Sequence, residues 1–386
     1  MLSYSRIAAL LALLPAAAGC QVYDASLVDA GTDAGTFDAG SCANRVPPPR
    51  PDVEDGADAE EVLFGLRMVV LSQEDGDLWR TIGLDLDGNC TQEPSFASEC
   101  VPPRRSRPPV DGEDGIDNVF GSDLFPLVDL AVGGLEETAQ AAQEEGKLPV
   151  VRIRGWNGED DDPRVDVAIT NAIYTVPAMG DMPIPHMVEN FAPVDMMGDP
   201  VPFPAWDGTD FGFFRLATFF DGDPARPTIR DDNAYVSNRF VVAQLPERVE
   251  ILFPADDVGV LVRLTDATAV GRISDDGLTL ENAVVSGRWS IIDLLSTAEN
   301  VGICPESDSY NILLGQLDSI ADVRSRPGTG GEGIECDALS LGVQFTGTRL
   351  RWGGLVEGPP IRNVCEDPLV DGGTPSADAG VRMDGG

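Results

Sequence analysis

The strongest signal along the chain is an alternation of apolar and polar positions. In VVRIRG (150–155), Val151 and Ile153 fall on one face, Arg152 and Arg154 on the other. RVDVAIT (164–170) repeats the pattern, with Val165, Val167 and Ile169 set against Asp166, Ala168 and Thr170. Period two marks a half-buried strand. The WNGEDDDP between them is polar and turn-rich, which predicts a hairpin. RVEILF (248–253), VGVLVRLTDATAV (258–270) and LTLENAVVSGRW (278–289) read as further strands. Helical periods are fewer. GLEETAQAAQEEG (134–146) is rich in helix formers and ends at glycine. SIIDLLSTAEN (290–300) opens with Ser290 and has Asp293 three places on, as in a capping box. NILLGQLDSIADV (311–323) puts Ile312, Leu313, Leu317 and Ile320 on one stripe. Strands with a few interleaved helices predict a mainly β fold, α+β by content: an antiparallel β-sandwich or jelly-roll-like domain with inserted helices.

The two ends break this pattern. Arg6 precedes an apolar run, Ile7 to Leu14, and then Pro15 and small residues, the layout of a secretory signal. The run is too short to span a hydrocarbon core of about 30 Å. Two cleavages compete: release after Ala16-Ala17-Ala18, or a lipobox-like Ala17-Ala18-Gly19-Cys20 that leaves Cys20 as an acylated first residue. The chain has seven cysteines: 20, 42, 90, 100, 304, 336 and 365. An odd count in an exported chain leaves one thiol over, and assigning Cys20 to a lipid leaves an even set for disulfides. Of the 15 connectivities six cysteines allow, one pairs Cys90 with Cys100 and Cys304 with Cys336, near in sequence, and Cys42 with Cys365, which lie near the two ends of the core and could staple them. Zinc is disfavoured, because no cysteine pair has finger spacing and the one histidine, His186, has no partner.

Composition then divides the 386 residues. Residues 1–19 read as a signal peptide. Residues 20–60, with DAGTDAGTFDAG and VPPPRP, read as a disordered, lipid-anchored spacer. Residues 61–366 form the β-rich domain, whole or in two subdomains, and 367–386 form a disordered tail. The formal charge of −39, with Lys147 the single lysine, argues against nucleic acid and against electrostatic adhesion to anionic lipid.

Candidate chemistry is sparse. A Ser-His-Asp triad would have to use His186, and no G-x-S-x-G accompanies it. GTGGEG (328–333) has dinucleotide-loop spacing, but Pro327 precedes it and Cys336 follows where a helix should start, so it reads as a loop. The acidic loops carry more weight. DLDGN offers Asp85, Asp87 and Asn89; DGEDGIDN offers Asp111, Glu113, Asp117 and Asn118. Calcium takes six to eight oxygen ligands, and such loops supply several. The plain alternative is that Asp, Asn and Gly simply make turns. Trp156 with Asn157, and Trp206 with Asp207, could stack on a sugar ring and bind its hydroxyls; packing under the loops is the competing explanation.

GLDLDGNC, DGIDNVFG and CDALSLGVQF, with the lipobox-like start and the Asp-Ala-Gly spacer, resemble uncharacterised predicted lipoproteins of myxobacteria and their relatives. The resemblance implies an address and no catalytic residue. The expectation is a bacterial outer-membrane lipoprotein, periplasm-facing or on the cell surface. Its lipid would hold it to the membrane, and its β-rich domain would bind a carbohydrate or an envelope protein without catalysis. A polysaccharide hydrolase using a carboxylate pair and a purely structural envelope protein are the alternatives.

Overall fold

The computed structural model describes residues 42–57, 61–93, 96–105, 107–253, 260–360, 363 and 365. Cys20 and the residues expected to form the signal peptide (1–19), the spacer up to 41 and the tail (367–386) lie outside the described residues. The strands in chain order are β1 (Val62–Val70), β2 (Leu148–Arg154), β3 (Asp162–Val176), β4 (Ala178–Met179), β5 (Met182–Pro183), β6 (Met187–Glu189), β7 (Ala192–Val194), β8 (Phe211–Arg215), β9 (Ile229–Ser237), β10 (Phe240–Gln244), β11 (Arg248–Phe253), β12 (Val260–Ile273), β13 (Thr279–Ser290) and β14 (Ala338–Val356). The helices are α1 (Phe125–Val132), α2 (Leu135–Glu144), α3 (Ile291–Asn300) and α4 (Asp308–Ile320). No helix among the described residues is long and apolar enough to cross a membrane.

The sandwich expectation is overturned. Eight strands pair antiparallel in a closed ring, β1–β2–β3–β9–β10–β12–β13–β14, and the ring is shut by β14 returning to β1. Leu63 pairs with Leu350 and Leu66 with Gly347 in that closing ladder. A sandwich leaves four exposed edges; closure of the ring leaves none. The alternation predicted for the β2–β3 hairpin is correct, with Val151 facing Ile169 and Ile153 facing Val167. These side chains point into the barrel with Phe64, Leu66, Val343 and Phe345, and all of them are buried. The interior is a packed apolar core, not a channel.

The other face of the same strands is also buried. β8 pairs antiparallel with β3 and parallel with β14, so β1–β2–β3–β8–β14 closes a second, smaller circuit. It encloses Leu63, Leu148, Val150, Ala172, Phe214 and Leu350. Strands β1 and β2 are therefore a common wall between two cores. Arg152, on the supposedly polar face, is 1% exposed. Its Nη1 donates to the Pro224 carbonyl (2.7 Å), and its guanidinium lies 5.8 Å from the Phe219 ring.

Residues 71–93 and 107–124 leave β1 and lie across the outside of β13 and β14. Small residues permit the approach: a Cβ on Gly342 would meet the Ile82 carbonyl at 2.5 Å. Ser286 Oγ accepts from Leu84 N–H (3.3 Å), and Ser340 Oγ from Val119 N–H (2.9 Å). This fold-back corrects the disulfide pairing. The bridges are Cys42–Cys90, Cys100–Cys336 and Cys304–Cys365. All six cysteines pair, but with partners brought close by tertiary structure, not by sequence. Three bridges fit an oxidising compartment. The domain also starts earlier than residue 61. Residues 42–57 run along the barrel: Arg50 donates to the Pro163 and Asn233 carbonyls and Tyr235 Oη donates to the Pro48 carbonyl.

The predicted helices are present. Ser290 caps α3 by accepting from Asp293 N–H (3.1 Å), and Ser307 caps α4 by accepting from Tyr310 N–H (3.2 Å). On α4, Leu317 and Ile320 are buried and Leu313 packs against the core as the stripe requires, but Ile312 is exposed and Leu314 packs against the core in its place.

Candidate functional site

The two acidic loops meet. Leu84 and Asp117 form an isolated antiparallel bridge. It places the carboxylates of Asp85, Asp87 and Asp117 so that one oxygen of each lies within 4.8 Å of the others. Two oxygens on opposite sides of a calcium ion, each at 2.3–2.6 Å, are separated by about 5 Å, so this span fits one coordination shell.

Backbone donors orient the group. Asp85 Oδ1 accepts from Gly88 N–H (2.7 Å), and Asp87 accepts from Asn89 N–H (2.7 Å) and Glu99 N–H (3.0 Å). Asp117 Oδ2 accepts from Leu86 N–H (2.7 Å). Asp85 Oδ2 is buried and has no hydrogen-bond donor. Gly115, at φ +78°, runs against this oxygen: a Cβ there would lie 3.2 Å from it and 2.8 Å from the Asn89 carbonyl. Only glycine combines that backbone conformation with that approach.

Two further carboxyls press on the trio. Asp111 accepts from Thr91 N–H, and its charge acts on Asp117. Asp322 reaches in from beyond α4 and holds Ser340 through its N–H (2.8 Å) and its hydroxyl. Burial pushes the Asp85 carboxyl up to about 6, with the charge of Asp87 adding to the effect. Burial also raises Asp111, Asp117 and Asp322, and repulsion from neighbouring aspartates adds to each. Desolvation and like charge both disfavour ionisation. Such a cluster must hold protons, or a cation must replace them.

The charge of Arg288 eases Asp85 and Asp322, but its hydrogen bonds go elsewhere. Arg288, 1% exposed, projects from β13. It pairs with Glu99 and with Asp266 (3.3 Å), and donates to the carbonyls of Leu86 and Arg324 (2.7 Å to the latter). It therefore ties the 83–99 loop to the 324–337 loop. Between those loops lies a groove of about 890 Å³, lined by Asp87, Asn89, Phe96, Glu99, Arg107 and the glycine-rich segment around 328–333. GTGGEG serves close packing: Gly331 N–H donates to the Glu99 carbonyl (2.7 Å), and a Cβ on Gly330 would meet that carbonyl at 2.3 Å.

Of the sequence candidates for a calcium site, the structure brings together Asp85, Asp87 and Asp117, with Asp111 against Asp117. Asn89 lines the groove but spends its amide on the Asp87 carbonyl (3.3 Å). Glu113 is exposed. Asn118 is a buried bracket that donates to Gln73 and to the Ile82 carbonyl, both at 2.7 Å, and accepts from Gly342 N–H. Asp322, Glu99 and Arg288 escaped the sequence reading, since no local motif marks them.

The aromatic candidates are packing residues. Trp156 is 6% exposed and donates to the Glu159 carbonyl (2.9 Å). Asn157 closes its own loop, accepting from Glu159 N–H and donating to the Asp161 carbonyl. Trp206 packs on the smaller core with the Arg67 guanidinium 4.2 Å above its ring. Asp207 is exposed and accepts from Thr209. Neither ring offers a free stacking face. His186 packs edge-on to Tyr174 and Phe213.

Comparison of the chain with family models, curated proteins and solved structures returns no match.

Proposed function

We propose that this chain is an exported, lipid-anchored envelope protein whose barrel carries a ligand-binding groove beside a calcium-class cation site. The carboxylate trio carries the cation part: an oxygen of each of three carboxylates within one coordination span, and a buried Asp85 oxygen without a donor, among aspartates that repel one another. The groove borders the site through Asp87, and it sets Phe96 beside Asp87, Asn89 and Glu99. An aromatic ring with the Arg107 guanidinium 4.9 Å above it, beside oxygen acceptors, offers donors and acceptors to a polyhydroxylated ligand such as an envelope glycan. The cation would fix the loop that forms one wall, so ligand affinity would depend on it.

The hydrolase alternative is less well supported. A general acid must reach its substrate, and Asp85, whose raised pKa suits an acid, is absent from the groove lining, where Asp87 represents the trio. The anchor rests on Cys20 and on the even set of cysteines that remains.

A glycan array probed with calcium and with EDTA tests the binding reading. Calcium-dependent binding, weakened by Asp117→Asn, is the expected result. Binding that persists in EDTA would overturn the role of the cation, and binding to no glycan would overturn the ligand class. Cys20→Ser should release the protein from the membrane fraction; retention there would refute the anchor.

A further inference from the structure

The chain has eight methionines, and five of them, at 179, 182, 187, 196 and 197, fall within the arm between β3 and β8. Methionine ordinarily fills gaps in cores. These do not: Met179 is 61% exposed, Met182 68% and Met197 84%, and Met187 and Met196 are exposed as well. β4 and β5 form a two-residue hairpin around Gly180 and Asp181, and Met179 and Met182 face each other directly across it. Cross-strand partners have Cβ atoms about 4.5–5.5 Å apart on one face, so two flexible thioethers there can converge on one ion. The hairpin is closed at its base by Ile184 N–H donating to the Pro177 carbonyl (3.1 Å).

The charge of the arm selects the sign of the ligand. Residues 177–210 contain six aspartates and glutamates and no lysine or arginine. An acidic arm repels anionic lipid and attracts a cation. Thioether sulfur is a soft ligand, suited to Cu(I) and its d¹⁰ relative Ag(I) and ill suited to calcium, magnesium or zinc. The three disulfides remove the six domain cysteines as competing thiolates. His186 is not free to serve. Its Nδ1 lies 2.8 Å from the Ile184 carbonyl and so carries the proton, and its Nε2 faces Tyr174 Oη at 3.4 Å.

We propose that the facing thioethers of Met179 and Met182 form the nucleus of a surface site for a soft monovalent cation, Cu(I) or Ag(I). The site is separate in residues and in ligand chemistry from the carboxylate trio. The test is a silver nitrate titration, in chloride-free buffer, of the oxidised protein labelled with ¹³C at its methionine methyls. The Met179 and Met182 methyl resonances should move first and together, reaching saturation near one equivalent, while Met68 stays still. Met179→Leu/Met182→Leu should weaken binding by about tenfold or more, whereas His186→Ala should retain it. Calcium should not compete. The proposal is overturned if the Met179 and Met182 signals do not move with silver, or if the double variant, folded by circular dichroism, binds silver as the parent does.

Discussion

The carboxylate trio and the methionine arm are both surface elaborations of one barrel, and they are held in opposite ways. The trio sits on a segment pinned by two disulfides, by buried Ser286, Ser340 and Gly342, and by Arg288. Its oxygens are oriented by backbone N–H groups before any ligand arrives. The arm rises from the small core around Val176, Val201 and Phe211 on two short hairpins and leaves its sulfurs in solvent. Hard oxygen donors need a rigid cage, because the site must offset the desolvation and mutual repulsion of charges. Neutral thioethers carry no such penalty and can be displayed on a flexible stem.

The sharpest way to break the contrast is Arg288→Met. It removes a guanidinium that is 1% exposed and leaves Glu99, itself 10% exposed, and the loop carbonyls without their partner. Breaking a buried ion pair costs about 3–5 kcal/mol. Urea unfolding should show a loss of that order. A loss below about 1 kcal/mol would mean that the loops over β13 are held by the disulfides and the serines alone.

Calcium should act next. If it binds the trio in the folded state alone, a free concentration one hundred times Kd stabilises the fold by about 2.7 kcal/mol. Differential scanning calorimetry with calcium and with EDTA reads this directly, and Asp117→Asn should abolish the difference. Equal melting temperatures in both buffers would show that shared protons, and no metal, satisfy the cluster.

Protons give the third effect. Folded Asp85 and Asp111 titrate near 6 and 8, against an ordinary carboxylate value of 3.8. The folded state thus binds protons more tightly than the unfolded chain. Without calcium, the stability held by these groups is full below about pH 4 and is lost progressively as pH rises to about 8. Asp111→Asn should flatten that fall relative to the parent, and calcium should flatten it too. Urea midpoints at several pH values would settle the sign; a stability that rises with pH in the parent relative to Asp111→Asn would refute it.

Much of this was legible locally, and the limits follow from range. The β2–β3 hairpin, β11 and the cap of α3 depend on neighbours within a few residues, so periodicity and capping found them. Barrel closure depends on Leu63 meeting Leu350, which no local pattern records. Arg152 and Thr170 looked solvent-facing because period two reports that two faces differ, not that one is wet. The second circuit around β8 buries them. DLDGN and DGEDGIDN announced their carboxylates, but which of those converge was decided by the Leu84–Asp117 bridge. Asp322 came from beyond α4 with no signal at all. The cysteines misled for the same reason: nearness in sequence put Cys90 with Cys100, whereas the fold-back that follows β1 carries each to a different partner.

The smallest expected effect is the most discriminating. Met179→Leu/Met182→Leu replaces two exposed side chains by others of similar volume, while Ala178 and Ile184, which seat the hairpin on the core, are untouched. Exposed substitutions of this kind stay within about 0.5 kcal/mol. Stability should therefore be unchanged while silver binding falls, the reverse of Arg288→Met, which should destabilise the protein without touching a sulfur. A stability loss above about 1 kcal/mol in the methionine pair would show that these side chains pack against something in the folded protein. Their exposure would then not reflect availability to a ligand, and the difference in how the two regions are built would disappear.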